Sequence, residues 1–228
     1  MENKVYVRVS GRRAMFTDPI TKIGGEKGSY PIPTYESLRG IMDSIYWKPT
    51  FVWVIDKVRI INPIKNETVN VRTIKYHSTS GDLYIYNYLR DVEYEIEAHF
   101  EWNLNNKAME NDRNDNKHFF SAKRMIEKGG HLDVFLGTRE CPAIVEPCEE
   151  FGRKDSAYKN TQKFEFGLMF HGFDYLGPNG EDILTARFWK PVMINGTIDF
   201  PRPDDGSLMI KRVRGTEYAP RAASEEVA

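Results

Sequence analysis

Lys117 and His118 stand side by side at the head of a segment with helical spacing, and a third candidate, Tyr46, falls at the end of an earlier one. Backbone N–H groups and the helix dipole favour an anion at a helix start and lower a histidine's affinity for a proton. A lysine beside the histidine neutralises charge on a phosphate. Metal-free cleavage of RNA needs a base for the 2′-hydroxyl, a cation for the developing phosphorane and an acid for the leaving 5′-oxygen. Histidine, lysine and tyrosine are of the types that fill those places. Each also has an ordinary reading. A Lys-His pair at a helix start is more often a solvated terminus, and a tyrosine on an apolar helical face is normally core, its hydroxyl reaching outward.

Other groups point more weakly. The run Gly24-Gly25-Glu26-Lys27-Gly28 exposes successive N–H groups that suit phosphate, yet it matches neither a Walker A loop nor a dinucleotide fingerprint. Gly24 and Gly25, with the basic residues Arg12, Arg13, Lys22, Lys27, Lys48, Lys123 and Arg124, are the candidate contacts to a nucleic-acid backbone. Glu97, His99 and Glu101 share one strand face, but no second cluster completes a metal shell, so no metal or other cofactor is expected. Cys141 and Cys148 match no zinc spacing and read as reduced thiols. Neither Ser44 nor Cys141 shows the local signature of an activated nucleophile. His77, His131 and His171 fall in loop or turn contexts, where surface or capping roles are the default.

The elements that must position these residues follow from periodicity. Val5 to Ser10 reads as a strand ended by Gly11 and Arg12-Arg13, followed by a long turn-rich loop over 17–33. Thr34 is a plausible N-cap for a helix in which Leu38, Ile41, Met42 and Ile45 repeat at helical spacing, stopping near Trp47 ahead of Pro49. Phe51 to Ile61 is strongly β. From Val92 to Trp102 apolar residues alternate with Glu93, Glu95, Glu97, His99 and Glu101, which predicts a half-buried strand with a solvated acidic face that RNA would avoid. A polar run over 103–116 leads to a helix of about Lys117 to Lys128, closed by Gly129-Gly130, and a further strand is expected near Ala143 to Val145. The order strand, helix, strand, strand, helix, strand is that of a ferredoxin-like, RRM-like βαββαβ unit in the α+β class. The expected division is 1–148 for this domain and 149–228 for a small antiparallel β-rich extension. Phe164 to Phe170 and Ala186 to Ile194 are its candidate strands, and its last stretch, from about Pro201, is expected to be loosely attached.

Bulk properties exclude several classes. With 40% hydrophobic and 13% aromatic residues in 228, the chain has material for a real core and is no disordered tail. Met1 to Ser10 alternates polar and apolar residues, unlike a secretory leader, and no stretch is long enough to span a bilayer; a cytoplasmic protein without membrane partners is expected. The net charge of −1 conceals blocks: residues 1–75 hold 13 Lys/Arg against 7 Asp/Glu, whereas 76–110 hold 2 against 7. Blocks of opposite sign suggest one face for a polyanion and another kept off it.

Several longer motifs make the chain recognisable. The run from Phe16 to Lys27, then Pro33-Thr-Tyr-Glu, Ser44-Ile-Tyr-Trp-Lys-Pro, Asp112-Arg-Asn with Lys117-His118, Asp133 to Cys141, and Phe200-Pro-Arg-Pro203 resemble the CRISPR-associated fifth-family proteins of subtype I-C, the Dvulg subtype. The matching blocks run from about residue 15 to about 203, in order. The resemblance implies a ferredoxin-like domain of the RAMP superfamily with a small C-terminal β-sheet. It implies a metal-independent endoribonuclease that binds the repeat hairpin of precursor CRISPR RNA and leaves 2′,3′-cyclic phosphate and 5′-hydroxyl ends. The protein would then stay on the mature guide RNA beside the large and backbone-forming subunits of the interference complex, and DNA is left open as a further ligand. The family's catalytic tyrosine and Lys-His pair fall on Tyr46, Lys117 and His118. In that frame Lys117 stabilises the pentavalent intermediate, His118 is the base, and Tyr46 is an orienter or acid, since a phenol of pKa about 10 is a poor base. The rival reading is a non-catalytic subunit that grips the 5′ handle of a mature guide; the complete trio argues against it.

Overall fold

The alternation that marks Val92 to Trp102 as a strand extends much further in the computed structural model, which describes residues 3–19, 21, 26–72, 82–175 and 183–214. Strand β5, Leu83–Trp102, is the spine of the molecule. Along its length it pairs antiparallel with β1 (Val5–Ala14), β3 (Phe51–Ile60) and β4 (Asn66–Arg72), and in parallel with the short β2 (Lys27–Gly28). Among the described residues the main sheet runs β6-β1-β5-β3-β11-β10-β7, with β6 Ile144–Pro147, β7 Phe164–Glu165, β10 Val192–Ile194 and β11 Thr197–Asp199. A second sheet has the order β12-β9-β8, from Met209–Arg214, Leu184–Trp189 and Met169–Asp174.

Both helices lie on the apolar face of β5. Helix α1 spans Tyr35–Ile45, capped by the Thr34 side chain, which accepts from the Ser37 N–H. It buries Leu38, Ile41, Met42 and Ile45, as its spacing predicts. Helix α2 spans Asp115–Glu127 and buries His118, Ala122 and Ile126, a single stripe at intervals of four. These residues join Val5, Val7, Val9, Ile96, Ala98 and Phe100 in one apolar core. That core also takes in Met193 and Ile198 of the C-terminal part, so β10 and β11 extend the main sheet rather than standing apart from it.

Five local expectations meet a different outcome in the structure. β1 does not end at Gly11 but runs on through Arg12 and Arg13 to Ala14. Gly11 serves close packing there, since a Cβ would lie 2.6 Å from Leu136 Cδ1 and 3.0 Å from the Pro142 carbonyl. The acidic face of β5 is not solvated: Glu93, Glu95 and Glu97 are only 9%, 0% and 8% exposed. Basic groups and backbone donors from elsewhere cover it. Lys154 Nζ bonds both Glu93 oxygens at 2.6 and 2.8 Å, Arg8 Nη2 and the Gly152 N–H bond Glu95 at 3.2 and 2.9 Å, and Lys4 lies 3.4 Å from Glu97. The C-terminal strands are each interrupted, giving β7 and β8 where Phe164 to Phe170 was expected and β9 and β10 where Ala186 to Ile194 was. Of the stretch from Pro201 expected to be loosely attached, residues 215–228 lie outside the described ones; within 201–214, Arg202 bonds both oxygens of Glu101 at 2.8 and 3.0 Å, Leu208 is buried, and β12 pairs with β9. His171, read as a loop residue, sits in β8, fully buried and stacked on Tyr35 with ring centroids 4.3 Å apart.

Candidate active site

Tyr46 and His118 meet where the end of α1 faces the start of α2. Tyr46 follows α1 as its C-cap, with extended backbone (φ −157°, ψ 118°) and its N–H still bonded to the Met42 carbonyl. The break turns its ring toward α2, while its own carbonyl accepts from Trp53 Nε1 at 2.7 Å and so locks the segment onto β3. On α2, Asn114 caps the helix by accepting from the Lys117 N–H. His118 opens the buried stripe, and Lys117, one residue earlier and so about 100° around the helix, projects outward with its side chain 55% exposed.

The His118 ring is fully buried in an aromatic box. Phe51 of β3, with Phe100 and Trp102 of β5, packs its ring centroid at 5.3, 6.2 and 5.7 Å, and Tyr46 stands at 6.1 Å. Both ring nitrogens are satisfied. Nε2 lies 2.9 Å from the backbone carbonyl of Asp112, and Nδ1 lies 2.9 Å from Tyr46 Oη. A carbonyl only accepts, so Nε2 carries the proton; in the neutral imidazole Nδ1 is then the acceptor and the Tyr46 hydroxyl donates to it. The Asp112 carboxylate completes the cluster. Lys117 Nζ is ion-paired to Oδ1, Thr50 Oγ1 donates to Oδ2 at 2.7 Å, and Oδ2 is 3.3 Å from His118 Nε2.

Burial raises the Tyr46 phenol above its ordinary value, against the pull of the Ser121 hydroxyl and the positive charges of Lys117 and Arg124. The phenol therefore stays protonated at neutral pH. Hydrogen bonds from Lys117 and Thr50 hold the Asp112 carboxyl down to about 2, and the same contact raises Lys117. The arrangement sets a neutral hydroxyl against a buried basic nitrogen, with an exposed ammonium at the rim. It can pass a proton inward from Tyr46 Oη to His118 Nδ1 and offer positive charge to an anion outside.

The structure thus brings all three expected catalytic residues together, and the expected backbone contacts divide. Lys48 lies exposed two residues beyond Tyr46, and Lys123 and Arg124 are exposed on α2. Arg12, Arg13 and Lys27 instead belong to the far end of β5. Arg13 bonds both oxygens of Glu67 at 2.6 and 3.0 Å, and Lys27 Nζ lies 4.9 Å over the Tyr86 ring. Because Arg13 pairs with Arg90, that group stands roughly 40 Å along the strand from Trp102. Lys22, Gly24, Gly25 and His77 lie outside the described residues. His99 is paired with Asp56 at 2.8 Å and Glu101 at 3.4 Å, which raises its proton affinity, with the Asp56 hydrogen bond the largest cause. Sequence reasoning gave no place to Thr50, Ser121 or the aromatic box.

Comparison with known proteins adds a second line. A family model described as CRISPR-associated protein (Cas_Cas5), in its Cas5d form, matches residues 5–201. A protein of Mannheimia succiniciproducens named CRISPR pre-crRNA endoribonuclease Cas5d is 31% identical over 226 residues, which span 88% of this chain and 96% of that one. Among solved structures, a CRISPR-associated protein is 40% identical with a TM-score of 0.72, over 88% of this chain and 92% of its own. A functionally uncharacterized protein from Streptococcus mutans is 38% identical with a TM-score of 0.76, over 92% of this chain and 97% of its own.

Proposed function

The chain belongs to the CRISPR-associated Cas5d family, and from that premise we propose that Tyr46, Lys117 and His118 are the cutting residues of a metal-independent endoribonuclease acting on precursor CRISPR RNA. The single observation that carries the site assignment is the 2.9 Å contact between Tyr46 Oη and a histidine nitrogen that has no solvent exposure of its own. A fully buried His118 cannot touch a ribose. The substrate's 2′-hydroxyl meets Tyr46, and His118 acts as base through it. The 2′-oxygen attacks phosphorus, its proton passing to Tyr46 Oη as the phenol's own proton moves to His118 Nδ1. The P–O5′ bond breaks with its electron pair left on O5′, which takes a proton from water, and the imidazolium later returns its proton to solvent through Tyr46. Lys117, at the rim, faces the non-bridging oxygens where negative charge develops. The products are a 2′,3′-cyclic phosphate and a 5′-hydroxyl.

We read the strand order β6-β1-β5-β3, with α1 between β1 and β3 and α2 between β5 and β6, as the ferredoxin-like unit of this family. The exposed Lys48, Lys123 and Arg124 hold the hairpin backbone near the cut, and Arg12, Arg13 and Lys27 contact RNA farther along β5. After cutting, the protein stays on the guide as a subunit of the interference complex. The test is incubation with the cognate repeat hairpin in EDTA and analysis of product ends. Cleavage leaving a cyclic phosphate is expected; a strict requirement for magnesium, or 3′-hydroxyl products, overturns the mechanism.

A further inference from the structure

We infer that Asp112 is a positioning residue of this reaction, joining the buried base and the exposed cation of the site into one unit. The inference rests on the catalytic reading of Tyr46, Lys117 and His118. Its starting observation is that one residue meets both halves of the machinery through different atoms. The Asp112 carbonyl accepts from His118 Nε2 at 2.9 Å, its Oδ1 holds Lys117 Nζ, and its Oδ2 lies 3.3 Å from His118 Nε2. The carboxylate is itself anchored, because Thr50, only 1% exposed, donates to Oδ2 at 2.7 Å. The loop that carries it is tied down as well: the Asn103 N–H bonds the Thr50 carbonyl at 2.9 Å, and Arg113 Nη2 bonds the Asn103 carbonyl at 3.2 Å.

Each contact has a consequence for the chemistry. The backbone carbonyl fixes the imidazole as the Nε2–H tautomer, which leaves Nδ1 as the acceptor for Tyr46. When Nδ1 takes the phenol proton, an imidazolium forms inside a box of Phe51, Phe100 and Trp102, where a positive charge is costly. The Asp112 carboxylate is the negative charge that faces it; among the described residues Tyr46 bonds Nδ1, Lys117 holds the other oxygen of the same carboxylate, and the charge of Arg124 reaches the Tyr46 hydroxyl. The division of labour resembles that of a serine protease triad, in which a carboxylate orients a histidine and stabilises its charged form. Here the tautomer is held by a backbone atom, so a side-chain change removes the charge without releasing the ring.

Asp112→Asn and Asp112→Glu are therefore compared with wild type in single-turnover cleavage at saturating protein, across pH, alongside repeat-RNA affinity. Asp112→Asn is expected to slow cleavage about ten- to a hundred-fold, the loss seen when the partner that orients a metal-ligating histidine is removed. The rise of rate with pH should move toward acid, because the carboxylate that lies 3.3 Å from His118 Nε2 has lost its charge. RNA affinity should be unchanged or tighter, since a negative charge beside the phosphate path is gone. Asp112→Glu keeps the charge, so its pH profile stays near wild type even where its rate falls. Should Asp112→Asn fail to fold, Thr50→Val takes its place with the same readouts, removing only the hydroxyl that anchors Oδ2. An unshifted pH profile with a wild-type saturated rate overturns the inference, as does a loss confined to affinity. His118→Ala run in parallel separates the two levels. A dead His118→Ala with a normal Asp112→Asn refutes this inference alone, whereas an active His118→Ala refutes the catalytic reading beneath it.

Discussion

Tyr46→Phe removes one oxygen and keeps the ring, so its effects can be worked from two contacts. The ring stays against Phe51, with centroids 5.6 Å apart, and packing is preserved. What is lost is the donor to His118 Nδ1, on a side chain with no solvent exposure. Leaving a buried acceptor unsatisfied costs about 1–3 kcal/mol, and for a chain of this size each kcal/mol lowers the melting temperature by about 2–4 °C. The kinetic loss is larger. Without the hydroxyl the buried imidazole has no route to the ribose, and an acid–base group of this kind contributes about a hundred- to ten-thousand-fold, or roughly 3–5 kcal/mol of barrier. Affinity should hardly move, because backbone binding is shared over several cations. The assay is single-turnover cleavage of labelled repeat RNA at saturating protein, with a binding titration and a thermal melt on the same sample. A small drop in melting temperature, intact affinity and a rate lowered a hundredfold or more is the predicted set. A wild-type saturated rate refutes the relay.

Three further outcomes follow from the same contacts. Lys117→Ala should lose on the order of a hundred- to a thousand-fold in saturated rate, as when one transition-state donor is removed, with affinity changed far less; a loss of binding alone, seen by titration, would make Lys117 a gripping residue. Glu95→Ala removes the buried partner of the Gly152 N–H and one of the two carboxylates on Arg8, which keeps Glu93 at 3.5 Å, and should cost about 1–3 kcal/mol in denaturant unfolding; a variant as stable as wild type would show that Glu95 is not needed for the fold. His171 has its folded pKa lowered to about 4, burial being the largest cause. The unfolded chain therefore binds the proton more readily, and stability should fall with decreasing pH between about 6.5 and 4, at up to about 1.4 kcal/mol per pH unit. His171→Gln should flatten that limb in a pH series of melts, and an unchanged slope would count against the assignment.

Much of the site was readable from local pattern. The spacing places Lys117 and His118 in the first turns of α2, but the solvated terminus that is the ordinary reading of such a pair holds for Lys117 and fails for His118, which is buried on the stripe with Ala122 and Ile126. Thr34, Leu38, Ile41, Met42 and Ile45 place α1 and leave Tyr46 at its end. What could not be read were contacts between residues far apart in sequence. Tyr46 and His118 are 72 positions apart, and Thr50 and Asp112 are 62. Asp112 also lies in a polar run without periodicity, where the motif Asp112-Arg-Asn marks the place but no spacing shows what its carboxylate touches. The cover over the acidic stripe on β5 is hidden from local pattern for the same reason. Alternation shows that Glu93, Glu95 and Glu97 share a face, but the residues that cover it, Lys154 and Gly152, arrive 61 and 57 positions later. Gly11 reads as punctuation by residue type alone, whereas its place in the fold is set by the close approach of Leu136.

The central claim is that the RNA's own 2′-hydroxyl is the nucleophile, deprotonated through Tyr46 and His118. A repeat hairpin carrying deoxyribose at the single position 5′ of the cut removes that nucleophile and nothing else. With wild-type protein in EDTA, the all-ribose hairpin should be cut and the deoxy hairpin should bind with the same affinity and remain whole. Cutting of the deoxy hairpin at the same position would contradict the account.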